Sequence, residues 1–91
     1  MQEELCFLSP VDGDVLHTSD GEIAGGVLAM RVLVAAAPGS QVRIAGVSAR
    51  EEEPGRFSAV IRLSEGHHVL MAESSPMQAR ARVTVCFDYA G

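Results

Sequence analysis

The sequence predicts an all-β domain built as a sandwich or a barrel. Three observations carry this. Turn signals recur every ~8–12 residues, the runs between them are rich in Val, Ile, Leu, Phe and Ala, and those runs alternate apolar with polar positions. No segment shows the 3.6-residue stripe of an amphipathic helix.

The elements follow in chain order. Leu5 and Phe7 oppose Cys6 and Leu8 in a first strand. "SPVDGD" at 9–14 and "SDGE" at 19–22 are turn-rich. In "LAMRVLVA", Leu28, Met30, Val32 and Val34 share one face; Ala29, Arg31, Leu33 and Ala35 share the other. "APGSQ" at 37–41 is a turn, and in "GSQVRIAG" Val42 and Ile44 point inward. "AREEEPGR" reads as a charged hairpin loop whose tip, Glu51, Glu52 and Glu53, keeps an edge soluble. Phe57, Ala59, Ile61 and Leu63 then face inward, with Ser58, Val60 and Arg62 outward. Ser64–Gly66 reverses the chain, and Leu70 and Ala72 carry the next strand into the core. A turn at 74–78 precedes "ARARVTVCFD", where Val83, Val85 and Phe87 oppose Arg82, Thr84, Cys86 and Asp88. The strands number about seven, in two antiparallel sheets.

Length and charge bound the function. A chain of 91 residues makes one small domain, spanning 1–91, with little room for a deep catalytic cleft. Its formal charge of −5 suits neither nucleic acid nor anionic lipid. All seven formal cations are Arg and lie scattered along the chain, so no basic stripe is expected. No apolar run approaches the ~20 residues of a membrane-spanning helix. "MQEEL" lacks the basic and apolar regions of a secretion signal, so the chain reads as cytoplasmic or as a domain cut from a longer protein.

The opening "LSPVDGDVLHTSDGEIAGGV" and the central "VLVAAAPGSQVRIAGVSAREEEPGRFSAVIRLSEGHHVLMAES" resemble bacterial immunoglobulin-like domains, in particular the glucodextranase-like accessory modules of surface and polysaccharide-active proteins. The resemblance spans nearly the whole chain and implies an immunoglobulin-like sandwich. It implies a non-catalytic spacer or packing partner, extracellular or at a cell surface, beside a neighbouring domain that acts on polysaccharide. Family members often have Asn-Gly in the turn after "V-x-I"; here Ala45 precedes Gly46, and Gly46 still supplies a positive φ. The family's Asp-Gly before the aromatic strand is here Pro54-Gly55, which also makes a turn, and Gly66 falls at the glycine of the family's Gly-x-His/Asn pattern. His68 falls at a family position where a side chain at the core edge hydrogen-bonds nearby backbone.

Each candidate for chemistry has a simpler structural reading. His67 and His68 point to opposite faces on strand alternation, so they cannot share one metal without a bulge. The carboxylates Asp12, Asp14, Asp20 and Glu22 are calcium candidates, but they lack the spacing of an EF-hand loop, and turns use Asp for backbone reasons. No Ser/His/Asp motif or phosphate loop occurs, so neither an enzyme nor a cofactor is expected. A small metal-dependent enzyme using the histidines is the weakest alternative. Direct sugar binding lacks aromatic platforms, since Phe7, Phe57 and Phe87 are assigned to the core and leave Tyr89 alone.

Cys6 and Cys86 lie opposite the core residues Phe7 and Phe87. If the first and last strands are neighbours, a bridge would close a loop of ~80 residues and stabilise by about 4 kcal/mol in the chain-entropy model; otherwise both are small apolar side chains. Leu33, Val60, Val69 and Met71 face away from the core and are expected to form a surface covered by a neighbouring domain or protein partner. The alternative to a spacer is an interaction or adhesion module that recognises a protein through its loops or a sheet edge.

Overall fold

A computed structural model describes residues 5–75 and 78–89. Residues 76 and 77 of the turn expected at 74–78, and residues 1–4 of the opening "MQEEL", lie outside the described residues. The strands are β1 (Cys6–Ser9), β2 (Val15–Leu16), β3 (Glu22–Ala24), β4 (Val27–Ala35), β5 (Gln41–Ile44), β6 (Val47–Ser48), β7 (Arg50–Glu53), β8 (Arg56–Leu63), β9 (Gly66–Ser75) and β10 (Ala79–Phe87). A 3-10 turn at Thr18–Asp20 is the only helical element among the described residues. The chain is therefore all-β, with ten described strands instead of about seven. Three of them, β2, β3 and β6, have only two or three residues, too few for alternation to reveal.

The strands form two sheets. One runs β1-β4-β8-β7, with β3 also paired to β4; the other runs β2-β10-β9-β5-β6. The pairing is antiparallel except between β2 and β10, which run parallel, so the expectation of purely antiparallel sheets is corrected at that edge. It happens because the chain leaves β1 at Ser9, crosses to the other sheet and lies alongside the last strand.

The inward faces of both sheets meet in one apolar cluster, as in a β-sandwich. Leu28, Val32, Val34, Phe57 and Ile61 come from one sheet; Val42, Ile44, Leu70, Val85 and Phe87 come from the other. Strict alternation is the cause: β4 reads half-buried, buried, half-buried, buried along its first four residues, and β5 reads exposed, buried, exposed, buried. Phe7 differs from expectation. It is half-buried and packs on the rim of the cluster, because β1 is the edge strand of its sheet.

Two local features correct the sequence reading. Residues Arg50–Glu53 are a strand and not a loop; only Pro54–Gly55 makes the turn. The β5–β6 turn places both central residues at positive φ, Ala45 at +51° and Gly46 at +81°. Two positive φ values between paired Ile44 and Val47 favour Asn-Gly in such a turn. Alanine bears a Cβ penalty there that asparagine tolerates better. Ala45→Asn is therefore expected to stabilise by about 0.5–1 kcal/mol, read as a higher urea midpoint with unchanged slope. A lower midpoint would contradict the turn geometry.

The sheets fix the direction of the chain. Cys6 pairs with Ala35, beside the loop at 36–40, so β1 enters at that end. Phe87 pairs with Gly66, and Tyr89 stacks on Phe87 with ring centroids 6.1 Å apart, so β10 leaves at the opposite end. The molecule measures 43 × 21 × 18 Å.

Candidate functional site

The paired histidines sit where β9 begins. His67 is exposed on the outer face and His68 is half-buried on the inner one. Nε2 of His68 lies 2.7 Å from the Ser64 carbonyl oxygen. A carbonyl only accepts, so Nε2–H donates and the ring fastens the turn that Gly66, at φ +123°, completes. His67 stands across from Cys86.

The carboxylates of the first loops are bonded to backbone. Asp14 Oδ2 accepts from the Val11 N–H, Asp20 Oδ2 from the His17 N–H, and Asp12 Oδ1 from the Thr84 N–H at 2.7 Å. The last bond ties the β1–β2 crossover to β10. Glu22 lies on β3, on the outer face opposite Ala29. Among the described residues, no three carboxylate, imidazole or thiol groups converge to hold a metal ion. The four calcium candidates thus do not assemble; Asp14 and Asp20 serve the turns in which they stand, and Asp12 fastens its loop to β10.

Cys6 and Cys86 are free thiols. The proposed bridge is corrected by topology: Cys6 lies on the β1-β4-β8-β7 sheet, while the edge of β10 is taken by β2, so Cys86 has Val15 beside it instead. Cys6 is exposed and Cys86 half-buried. A thiol reagent is expected to label Cys6 faster, with both thiols titrating after unfolding of air-exposed protein. A single mass two hydrogens lower, without free thiol, would refute this.

The glutamate run does more than solvate an edge. Glu51 accepts from the Gly39 N–H at 3.3 Å and the Gly55 N–H at 3.0 Å, joining two loops at one end of the molecule. A register shift between Glu51 and Glu53 turns Glu52 across the outer face, where it accepts from the buried Ser58 hydroxyl and pairs with Arg31 at 2.6 Å. The Ser58 hydrogen bond first, and then the Arg31 and Arg50 guanidiniums, hold the Glu52 carboxyl below its usual range against a partly opposing desolvation. Sequence reasoning could not find these roles, because the bulge that aims Glu52 leaves no mark in composition.

The four apolar residues expected to share one interface are split. Leu33 and Val60 lie on the outer face of the β1-β4-β8-β7 sheet; Val69 and Met71 lie on the outer face of the other. Leu33 is half-buried, whereas Val60 and Val69 are 58% and 59% exposed. The split follows from strand pairing: β4 pairs with β8 and β9 with β10, and the two pairs pack back to back across the core. An open cleft of about 1110 Å³ at the 36–40 end is lined by Arg43, Arg80, Glu51 and Glu73 and by the buried Phe57 and Ser74.

A scan against protein-family models and a search of curated proteins found no match.

The site therefore rests on the chain's own geometry. Of the residues singled out from sequence, His68, Asp12, Asp14, Asp20, Gly46 and Gly66 hold turns and crossings. The exposed apolar and arginine side chains on the two outer faces are left as the surface available to a partner.

Proposed function

We propose that this chain is an immunoglobulin-like sandwich module that works without catalysis, as a spacer and packing partner within a larger protein. The observation that carries the reading is the strand order together with the path of the chain. The order β1-β4-β8-β7 follows the A-B-E-D sheet of that fold, and β5-β9-β10 follows its C-F-G sheet. The chain enters at one end and leaves at the other, so whatever adjoins the two ends is held apart by the length of the strands, ~30 Å for the ten residues of β9. An extracellular bacterial setting and a polysaccharide-active neighbour are extensions of this proposal that rest on family resemblance alone.

The sheet edges favour this reading over recognition by strand addition. Edge β7 carries three glutamates and a register shift, β1 has its own shift and stops at Ser9 before Pro10, and β2 and β6 have two residues each. Short, charged or bulged edges resist pairing with another chain. A partner of an interaction module is better received on an outer face, where Val60, Val69 and Met71 are exposed.

Spin labels test the spacer geometry. One label goes on native Cys6 and one on Tyr89→Cys, in a Cys86→Ser background. Electron double resonance is expected to give one narrow distance of about 30 Å, the length of nine to ten extended residues. A distance below about 20 Å, or a broad distribution spanning that range, would remove the basis for a spacer.

A further inference from the structure

Folding gathers arginines that the linear order scatters. All seven alternate to the outward faces of the sheets: Arg31, Arg50, Arg56 and Arg62 on one, Arg43, Arg80 and Arg82 on the other. The second face combines this charge with exposed apolar surface. Arg43, Glu73 and Arg80 form one row across β5, β9 and β10; Met71 and Arg82 form the next, then Val69 and Thr84, then His67, Cys86 and Val15. At the 36–40 end three arginines stand against the carboxylate of Glu73, a local excess of two positive charges on a chain of formal charge −5, while Asp12, bonded to the Thr84 N–H, borders the apolar end. Glu73 pairs with Arg80 at 3.5 Å, and Arg43 and Arg82 have no ion pair among the described residues. Val15, Val69 and Met71 are 54%, 59% and 40% exposed, and a depression of about 220 Å³ lies between Met71, Arg80 and Arg82.

The face is polarised along the strands. Its guanidiniums cluster toward the 36–40 end and its apolar side chains toward the other. Arg80 and Arg82 are two residues apart on one strand, ~7 Å, which is the spacing of side chains i and i+2 on one side of any extended peptide. The geometry points to a docking surface for an extended acidic–apolar segment of a partner protein, with carboxylates at i and i+2 over Arg80, Arg82 and Arg43, and apolar side chains at i+4 and i+6 over Val69 and Val15. Charge complementarity selects this occupant. A second copy docking by the same face would set its arginines against arginines or, with strands antiparallel, against the apolar end, in neither case giving them the carboxylates they lack, and an anionic bilayer would be repelled by the acidic remainder of the chain. The inference deepens the reading of the chain as a packing partner and names the surface and its chemistry.

The test is a titration of isotope-labelled protein, followed by nuclear magnetic resonance, with the synthetic peptide Glu-Ser-Glu-Ser-Leu-Ser-Val and its Lys-for-Glu counterpart. The acidic peptide is expected to shift Val69, Met71, Arg82 and Thr84 saturably, and the basic one is not. Arg43→Glu/Arg82→Glu is expected to weaken the response about tenfold, two exposed ion pairs' worth, and Val69→Ser/Met71→Ser to weaken it with its salt dependence retained. Circular dichroism establishes that each variant is folded. No shifts, equal shifts with both peptides, shifts confined to the loops, or self-association through this face in sedimentation would each overturn the proposal. The spin-label distance is unaffected by any of these outcomes, so the spacer reading stands or falls separately.

Discussion

Phe87→Ala is expected to cost about 3–5 kcal/mol, the usual loss when a fully buried aromatic side chain is truncated. Phe87 is 0% exposed, and its backbone lies between Gly66 of β9 and Leu16 of β2. Gly66 has no side chain to fill the space left behind, and Leu16 is itself 4% exposed and held in the core. The cavity therefore stays open, and the transfer loss and the cavity loss add. A domain of this size has only about 5–15 kcal/mol of stability in all, so the variant should sit close to its unfolding threshold. The melting temperature should fall by roughly 12–40 °C, at about 4–8 °C per kcal/mol. Phe7→Ala is the control. Phe7 is half-buried at the rim of the same cluster, and its loss should be clearly smaller. Urea unfolding monitored by circular dichroism measures both. A Phe87→Ala loss under about 1 kcal/mol, far below the range for a buried aromatic, would mean that β10 does not close the core.

Gly21→Ala is expected to destabilise by about 2–3 kcal/mol, a large effect for an exposed residue. Gly21 follows the 3-10 turn and precedes β3, with φ at −174°, an extended angle that any residue adopts. The objection is space. A Cβ at this position would lie 2.2 Å from the Ala29 carbonyl oxygen and 3.1 Å from Leu28 Cδ1. The oxygen belongs to β4, which is paired to β3 on one side and β8 on the other, so it cannot retreat without loosening a ladder. Faster amide hydrogen exchange at Ile23 and Ala24, with the β8 amides unchanged, would show that β3 detaches to relieve the clash. Unchanged stability and exchange would show that the approach of Gly21 to β4 is looser than it stands here.

These two sites differ in how far the sequence announces them. Phe87 is legible, because Val83, Val85 and Phe87 alternate with Arg82, Thr84 and Cys86, and a period of two admits only one reading. Gly21 is not. "SDGE" marks a turn, and nothing in those four letters says that a neighbouring strand passes within contact of the glycine. The same division runs through the candidate site. The opposite facing of His67 and His68 follows from alternation, and so does the outward direction of Val69 and Met71. The partners do not: Asp12 bonds to Thr84, 72 positions away, and Glu51 bonds to Gly39 across a loop. A local pattern carries no information about which distant backbone arrives beside it.

By itself the sequence determined which residues face inward, where most of the chain reverses, and that neither a spanning helix nor an EF-hand loop is encoded. Those properties are local, set by the two-residue period of a strand and by the φ preferences of Gly, Pro and Asp. The tertiary structure alone decided that Cys6 and Cys86 belong to different sheets, that Leu33 and Val60 look away from Val69 and Met71, and that seven scattered arginines gather on two outer faces. The reason is that alternation specifies inside and outside, while strand pairing specifies which outside; pairing is settled by the whole set of backbone ladders and by the single core they enclose.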